Sequence, residues 1–210
     1  METFVPALGR LRVECDRVAV LGTSKGAEAA LLLGALIGGI DVVVGLAPTA
    51  WVWANVGPGR DGADRPQRSC WTLGGIPVPF LRYDDDWRWT GPGLPEYLDH
   101  YRQCQSRHAA TTPQARIPVE RITGEVILVA GGDDRMWDSL GAARAIDGAR
   151  ERAGRATTVI THPQAGHRCV LPGEAALPPS PRHAHGGHPK ADVALGAAAW
   201  PAIRWALALR

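Results

Sequence analysis

Val18-Ala19-Val20-Leu21-Gly22-Thr23-Ser24-Lys25-Gly26, followed by the Ala- and Leu-rich stretch Ala27 to Ile37, is the part of the sequence that decides the fold. An apolar, β-branched run that ends in G-x-S-x-G and passes directly into a helix former places a serine on a sharp turn between a strand and a helix. The glycines have a mechanical reading: strand and helix approach so closely at such a turn that side chains at Gly22 and Gly26 would push them apart. Ser24 then stands at a helix N-terminus, where the Lys25 backbone N–H points at negative charge developing on a neighbouring oxygen.

Working outward, the runs Val18 to Leu21, Asp41 to Leu46, Glu125 to Ala130 and Thr157 to Thr161 read as buried parallel strands, each followed by Gly, Pro or Asp punctuation. Ala27 to Ile37 is a helix closed by Gly38 and Gly39. Ser139 to Ala153 reads as a second helix, and Asp192 to Leu209 as a third, interrupted at Pro201. Strands alternating with helices predict one α/β domain over residues 1–210, a parallel sheet with helices on both faces. Pro48 to Ile122 breaks the rhythm and reads as an irregular insertion above the sheet. It holds five of the eight tryptophans, Trp51, Trp53, Trp71, Trp87 and Trp89. Mixed with Pro77, Pro79, Pro92 and Pro95, these rings either line an apolar pocket or supply the core that any insertion requires.

A serine hydroxyl is a poor nucleophile at neutral pH, so the elbow has chemical meaning only with a histidine to take its proton and an acid to orient that histidine. Both are found beyond later strands. Glu125 to Ala130 runs into Gly131-Gly132-Asp133-Asp134, and Thr157 to Thr161 into His162-Pro163-Gln164-Ala165-Gly166-His167. In open parallel sheets, sites lie outside the carboxyl ends of the strands. Asp133 competes with Asp134, and one of the two is expected to cap the following helix. Asp138 is a third, weaker acid. His162, at the strand end and before a proline, reads as structural.

Composition narrows the function classes. With 210 residues and a formal net charge of +2 from nearly balanced acids and bases, nothing proposes a nucleic-acid or membrane surface. Cys15, Cys70, Cys104 and Cys169 form no C-x-x-C pair, so the expectation is a reducing cytoplasm without a disulfide framework or zinc ribbon. Met-Glu-Thr-Phe-Val-Pro at the start lacks a basic and an apolar leader region, and no apolar run is long enough for a bilayer. His183, His185 and His188 sit in the Pro-, His- and Gly-rich patch Leu177 to His188. They lack visible orienting partners, and no metal is expected there. Asp84-Asp85-Asp86 reads as a solvated loop. Arg135 and Arg168 flank the acid and the histidine, as surface arginines or as partners for a phosphate.

Taken together, the residues resemble the acyl-CoA thioesterases of the bile acid-CoA:amino acid N-acyltransferase type, in their C-terminal catalytic domain, an α/β-hydrolase of dienelactone-hydrolase-like fold. Leu21-Gly22-Thr23-Ser24-Lys25-Gly26-Ala27-Glu28 is similar to that family's elbow. Ile117-Pro118-Val119-Glu120-Arg121-Ile122, Val126 to Ala130 and Gly131-Gly132-Asp133-Asp134 with Trp137 and Ser139 resemble its acid segment. Gly166-His167 with Pro172 resembles its histidine segment, and Gly186-Gly187-His188-Pro189 with Ala191, Asp192 and Trp200 its C-terminal signature. The resemblance implies Ser24, Asp134 and His167 as the triad, and hydrolysis of an acyl-CoA thioester in lipid metabolism without a cofactor. Serine rather than cysteine at the nucleophile favours hydrolysis over transfer to an amino acid. An acyltransferase, a dienelactone-type esterase, or a weakly catalytic relative serving as a binding or assembly module are the alternatives.

The sequence departs from the family in one respect. Family members carry sheet strands before the elbow that have no counterpart here, and with them the loop that supplies a second oxyanion-hole N–H. Lys25 is then the only identifiable donor, and losing its companion costs about 2.7 to 4 kcal/mol in the transition state. The same absence predicts an exposed apolar edge at the elbow strand or its neighbour, open to a homodimer or a partner chain.

Overall fold

The computed structural model describes residues 1–59, 61–176 and 178–208; Leu177, which begins the Pro-, His- and Gly-rich patch, and Leu209, which ends the third expected helix, lie outside the described residues. Its strands are β1 (Ala19–Thr23), β2 (Val42–Leu46), β3 (Thr72–Leu73), β4 (Ile76–Pro77), β5 (Glu125–Gly131) and β6 (Thr158–His162). Its α-helices are α1 (Val5–Glu14), α2 (Lys25–Leu32), α3 (Leu98–Arg107), α4 (Ser139–Arg152) and α5 (Pro189–Ala206). The four apolar runs pair in parallel in the order β1-β2-β5-β6, while β3 and β4 make a separate antiparallel hairpin.

Side chains alternate across a strand, and here the alternation feeds two cores. Val43 of β2 and Val126, Leu128 and Ala130 of β5 pack with Leu31 and Leu32 of α2 and Ala143 and Ile146 of α4. Val42, Val44, Ile127 and Val129 face the other way, onto Leu195, Ala199 and Ile203 of α5. A strand buried on both faces must be apolar at every position, which is why β2 and β5 read as continuous Val/Ile/Leu runs. The chain belongs to the α/β class with helices on both faces of a parallel sheet, as the sequence predicts.

Register gathers the strand ends. Thr23 lies beside Leu46, Leu46 beside Val129, and Gly131 beside His162, so the chain leaves β1, β5 and β6 at the same end of the sheet. β1, the elbow strand, is an edge: among the described residues it pairs with β2 alone, and Leu21 on it is 44% exposed.

Three local expectations need correcting. The stretch from Pro48 to Ile122 contains a helix, α3, which shows little apolar periodicity because only His100 and Cys104 of it are buried. The helix α5 runs through Pro201 without interruption; the proline is exposed, and the packed residues Ala199, Ile203 and Ala206 on its inner face hold the turns on either side. The helix α1, of which only Leu8 is buried, has no counterpart among the elements expected from the sequence. Ahead of it the N-terminal amine donates to the Thr72 carbonyl at 2.6 Å, fastening that end to the β3–β4 hairpin. The insertion has its own small core, in which Trp53 and Leu81 meet Cys104, Ala115 and Trp137, with Trp53 only 1% exposed. Arg150 of α4 ties the chain's return from the insertion to the sheet, donating to the carbonyls of Val119 and Ile122 at 3.1 and 2.8 Å. Among the described residues no helix is long and apolar enough to cross a membrane.

Candidate active site

The turn after β1 is as tight as the sequence implies, for a reason that lies in one glycine. A Cβ on Gly22 would sit 2.0 Å from the Gly26 carbonyl oxygen, so the position admits hydrogen only. Gly26 is different: a Cβ there meets nothing within 4 Å. The expectation that both glycines are sterically required is corrected; Gly26 contributes the backbone that crowds Gly22. Ser24 adopts φ 57°, ψ −119°, a left-handed conformation that a non-glycine residue holds only under constraint. The constraint is visible: its N–H donates to Leu46 at 2.8 Å, and its carbonyl accepts from Ala27 and Glu28 in the first turn of α2. The N–H groups of Lys25 and Gly26 meet no acceptor among the described residues, as befits the first turn of a helix.

Ser24, His167 and Asp134 come together although 143 and 33 residues separate the successive pairs. Ser24 Oγ lies 2.8 Å from His167 Nε2, and His167 Nδ1 lies 2.8 Å from Asp134 Oδ2. His167 and Asp134 are 7% and 4% exposed. The second oxygen of Asp134 accepts from the backbone N–H groups of Met136 (2.8 Å) and Trp137 (3.2 Å). With both carboxylate oxygens engaged, the acid is fixed in place, and an ionised Asp134 holds the proton of His167 on Nδ1, leaving Nε2 to accept from the serine. Trp137 stands edge-on to the His167 ring, centroids 5.3 Å apart, and anchors its own indole N–H on the Ala47 carbonyl at 3.2 Å.

The competing candidates have other partners. Asp133 accepts from Arg135 Nε at 2.6 Å and from the Gly187 N–H at 2.9 Å. The helix cap expected of Asp133 or Asp134 is provided instead by Asp138, which accepts from Gly141 at 2.9 Å. His162 Nδ1 accepts from the Gln164 N–H at 3.2 Å. His188 caps α5 and accepts from Ala191, His185 accepts from Arg168, and His183 packs against Tyr97 and His185. Asp84 and Asp85 are ion-paired with Arg107 and Arg65.

Several contacts that hold the site were not legible as such. The His167 N–H donates to the His185 carbonyl at 2.8 Å, and Gly166 donates to Asp192 in the first turn of α5 at 2.8 Å. Burial of Asp192 raises its pKa, and the Gly166 N–H opposes that shift. Gly186, at φ 70°, lies so near the Asp133 carbonyl that a Cβ would be 1.8 Å from its oxygen. The acid loop, the histidine loop and the Gly186-Gly187 loop thus meet backbone to backbone. The Lys25 side chain donates to Glu28 at 2.6 Å and to the Trp53 carbonyl at 2.7 Å. Glu28 is completely buried and also accepts from Trp71 Nε1 at 2.6 Å and from Trp53 N–H at 3.3 Å, so two insertion tryptophans are clamped to the elbow helix. Its pKa is raised by burial, against the pull of Lys25.

Ser24 and His167 open onto a cleft of about 680 Å³ whose walls include Met136, Arg168, Val170 and Ala175. None of the five insertion tryptophans is among the residues lining that cleft. Trp53 belongs to the insertion's core, whereas Trp87 lines a separate groove with Tyr97 and His183. Cys169, also on the cleft wall, has its thiol pushed up to about 12 by burial, which keeps it protonated and inert near neutrality.

No curated protein matches this chain. The family model described as BAAT / Acyl-CoA thioester hydrolase C terminal matches residues 8–204, a span that includes the elbow, both supporting loops and α5 as far as Arg204, and the chain therefore belongs to that family of acyl-CoA thioesterase- and acyltransferase-related hydrolases.

Proposed function

We propose that this protein hydrolyses acyl-CoA thioesters through a serine acyl-enzyme, with Ser24 as nucleophile, His167 as base and then acid, and Asp134 as the residue that orients His167. The observation that carries the reading is the unbroken chain of two 2.8 Å contacts from Ser24 Oγ through the imidazole to the buried Asp134 carboxylate. As Oγ bonds to the thioester carbonyl carbon, its proton passes to Nε2 and negative charge gathers on the carbonyl oxygen. The Lys25 N–H, unpaired at the start of α2, is the donor proposed for that oxygen. Collapse of the tetrahedral adduct breaks the C–S bond, and the imidazolium returns its proton to the departing CoA thiolate. Water then attacks the acyl-enzyme, with Nε2 taking its proton and passing it to Ser24 Oγ as the free acid leaves.

Thiol release from a panel of saturated acyl-CoAs tests competence and chain preference together, with product analysis in the presence of glycine and taurine separating hydrolysis from amide formation. A fluorophosphonate that labels the wild-type protein but not Ser24→Ala is the companion result. Absence of both labelling and thiol release in the folded protein would leave the fold as a binding or assembly module and end the enzymatic reading.

A further inference from the structure

The two arginines beside the site are held very differently. Arg135 is paired twice, Nε with Asp133 at 2.6 Å and Nη1 with Glu96 at 3.1 Å. Arg168, the residue after His167, lines the Ser24 cleft and forms no ion pair with a carboxylate among the described residues. Its Nε donates to His185 Nδ1 at 2.7 Å, and its Nη1 is shut off from solvent without an acceptor. Two carboxylates share the cleft wall without reaching ion-pair distance of Arg168: Asp192 accepts from Gly166 and Glu174 from Leu171, each at 2.8 Å, and Asp192 meets the charge of Arg168 only through space.

His185 accepts the Arg168 bond only as a neutral imidazole. Burial, and then the charge of Arg168 itself, lower its pKa to about 4, so the pair carries a single positive charge near neutrality. A guanidinium fixed in orientation by a neutral neighbour, with one nitrogen buried without an acceptor and no carboxylate within ion-pair distance, is costly to maintain for the fold alone. It is the arrangement that an incoming carboxylate or phosphate oxygen completes through Nη2, the guanidinium nitrogen that is neither bonded nor buried, in a charge-assisted hydrogen bond.

We propose that Arg168 is an oxyanion-recognition residue that makes the cleft prefer substrates bearing an anionic group, either a carboxylate on the acyl chain or a phosphate on the thiol carrier. The identity of the substrate rests on the chemistry proposed for Ser24; the anion site does not.

The test compares the wild-type protein with Arg168→Gln and Arg168→Lys in two arms. In the acyl arm, glutaryl and valeryl thioesters of N-acetylcysteamine differ by a carboxylate on an uncharged carrier. In the carrier arm, valeryl-CoA and valeryl-N-acetylcysteamine differ by the phosphates. The expected result is that the anionic-over-neutral ratio of kcat/KM falls about 10- to 100-fold in Arg168→Gln in at least one arm, that arm naming the source of the oxyanion. Arg168→Lys keeps the charge without the planar guanidinium that the His185 bond orients, and recovers only part of the ratio. A ratio unchanged by Arg168→Gln in both arms overturns the proposal. Labelling of Ser24 by a fluorophosphonate reports whether each variant is folded around the elbow, and should Arg168→Gln not fold, Arg168→Lys carries the comparison on the same criterion. If the wild type turns over none of the thioesters, the Ser24 reading fails and the anion site is read by calorimetric titration with glutarate and with CoA. Binding of either that weakens about tenfold or more in Arg168→Gln supports the site. No binding of either overturns it.

Discussion

Replacing Asp134 with asparagine changes one contact of the Ser24 cluster and predicts its own direction from the surrounding donors. Oδ1 receives two backbone N–H groups, from Met136 and Trp137, while Oδ2 faces His167 Nδ1 at 2.8 Å. An asparagine keeps the two backbone donors only with its carbonyl oxygen in the Oδ1 position, which sets the amide NH2 against Nδ1. Nδ1 must then accept, and the ring proton moves to Nε2, 2.8 Å from Ser24 Oγ. An Nε2 that already carries a proton cannot take another from the serine, and the buried negative charge that stabilises the imidazolium is gone as well. The equivalent change in a serine-protease triad costs about 10⁴ in kcat, which corresponds to about 5 kcal/mol at 1.36 kcal/mol per decade. The expected fall in thioester kcat/KM is therefore about 10³- to 10⁴-fold, with thermal stability changed by only about 1 kcal/mol because volume and the Oδ1 contacts persist. Thiol-release kinetics give the rate, and ¹⁵N shifts of the His167 ring report the tautomer directly. A folded Asp134→Asn protein that keeps more than about a tenth of wild-type kcat/KM would refute Asp134 as the orienting acid. The parallel Asp133→Asn change touches only Arg135 and the Gly187 N–H, and its loss belongs in stability.

The two elbow glycines separate cleanly. Gly22→Ala forces a Cβ to within 2.0 Å of a carbonyl oxygen, and should cost about 3 kcal/mol or more in urea unfolding, whereas Gly26→Ala enters open space in a helix and should be neutral or stabilising by up to about 1 kcal/mol; equal losses at both would contradict the geometry. Lys25→Met strands the Glu28 carboxylate at 0% side-chain exposure, for an expected loss of about 2 to 4 kcal/mol once the 27% exposure of the lysine is allowed for. Adding Glu28→Gln should restore part of that loss, and a double variant no better than the single one would remove the clamp from the account. His185 has a folded pKa of about 4 against 6.5 for the free imidazole, so the unfolded chain binds the extra proton and stability is lost as pH falls from about 6.5 towards 4. Burial, Arg168, His167 and His183 act in that direction and Asp134 opposes them; His185→Gln, measured by urea midpoints across that window, should flatten the dependence, and an unchanged slope would place the acid sensitivity elsewhere.

The layers of the fold are legible in the sequence because parallel strands buried on both faces leave no room for polar alternation. β2 and β5 are apolar at nearly every position, since odd residues meet α2 and α4 while even ones meet α5, or the reverse. The elements that escape reading are those without such a constraint. The helix α1 buries one leucine, and α3 rests on His100 and Cys104, so neither writes an apolar stripe into the chain. Pro201 misleads for the opposite reason: the helix rule is local, but Ala199, Ile203 and Ala206 pack across the proline and keep α5 continuous.

For the site, Ser24, Asp134 and His167 are legible as a set because each follows a strand that leaves the sheet at one end, and parallel pairing does the rest. What positions them to within a hydrogen bond is not written in any one segment. Asp133 holds Gly187, Gly186 presses on the Asp133 carbonyl, Gly187 in turn crowds Gly166, and Asp192 takes the Gly166 N–H, so four stretches of chain lock around the residue that precedes His167. Each contact involves backbone, which carries no side-chain signature; only the glycines betray that two backbones must touch there. The elbow is held from the far side by the Lys25–Glu28 pair and two tryptophans of the insertion. The insertion thus supports the elbow helix while its tryptophans leave the Ser24 cleft to other residues, and the strained backbone of Ser24 is held by its hydrogen bonds to Leu46 and to the first turn of α2.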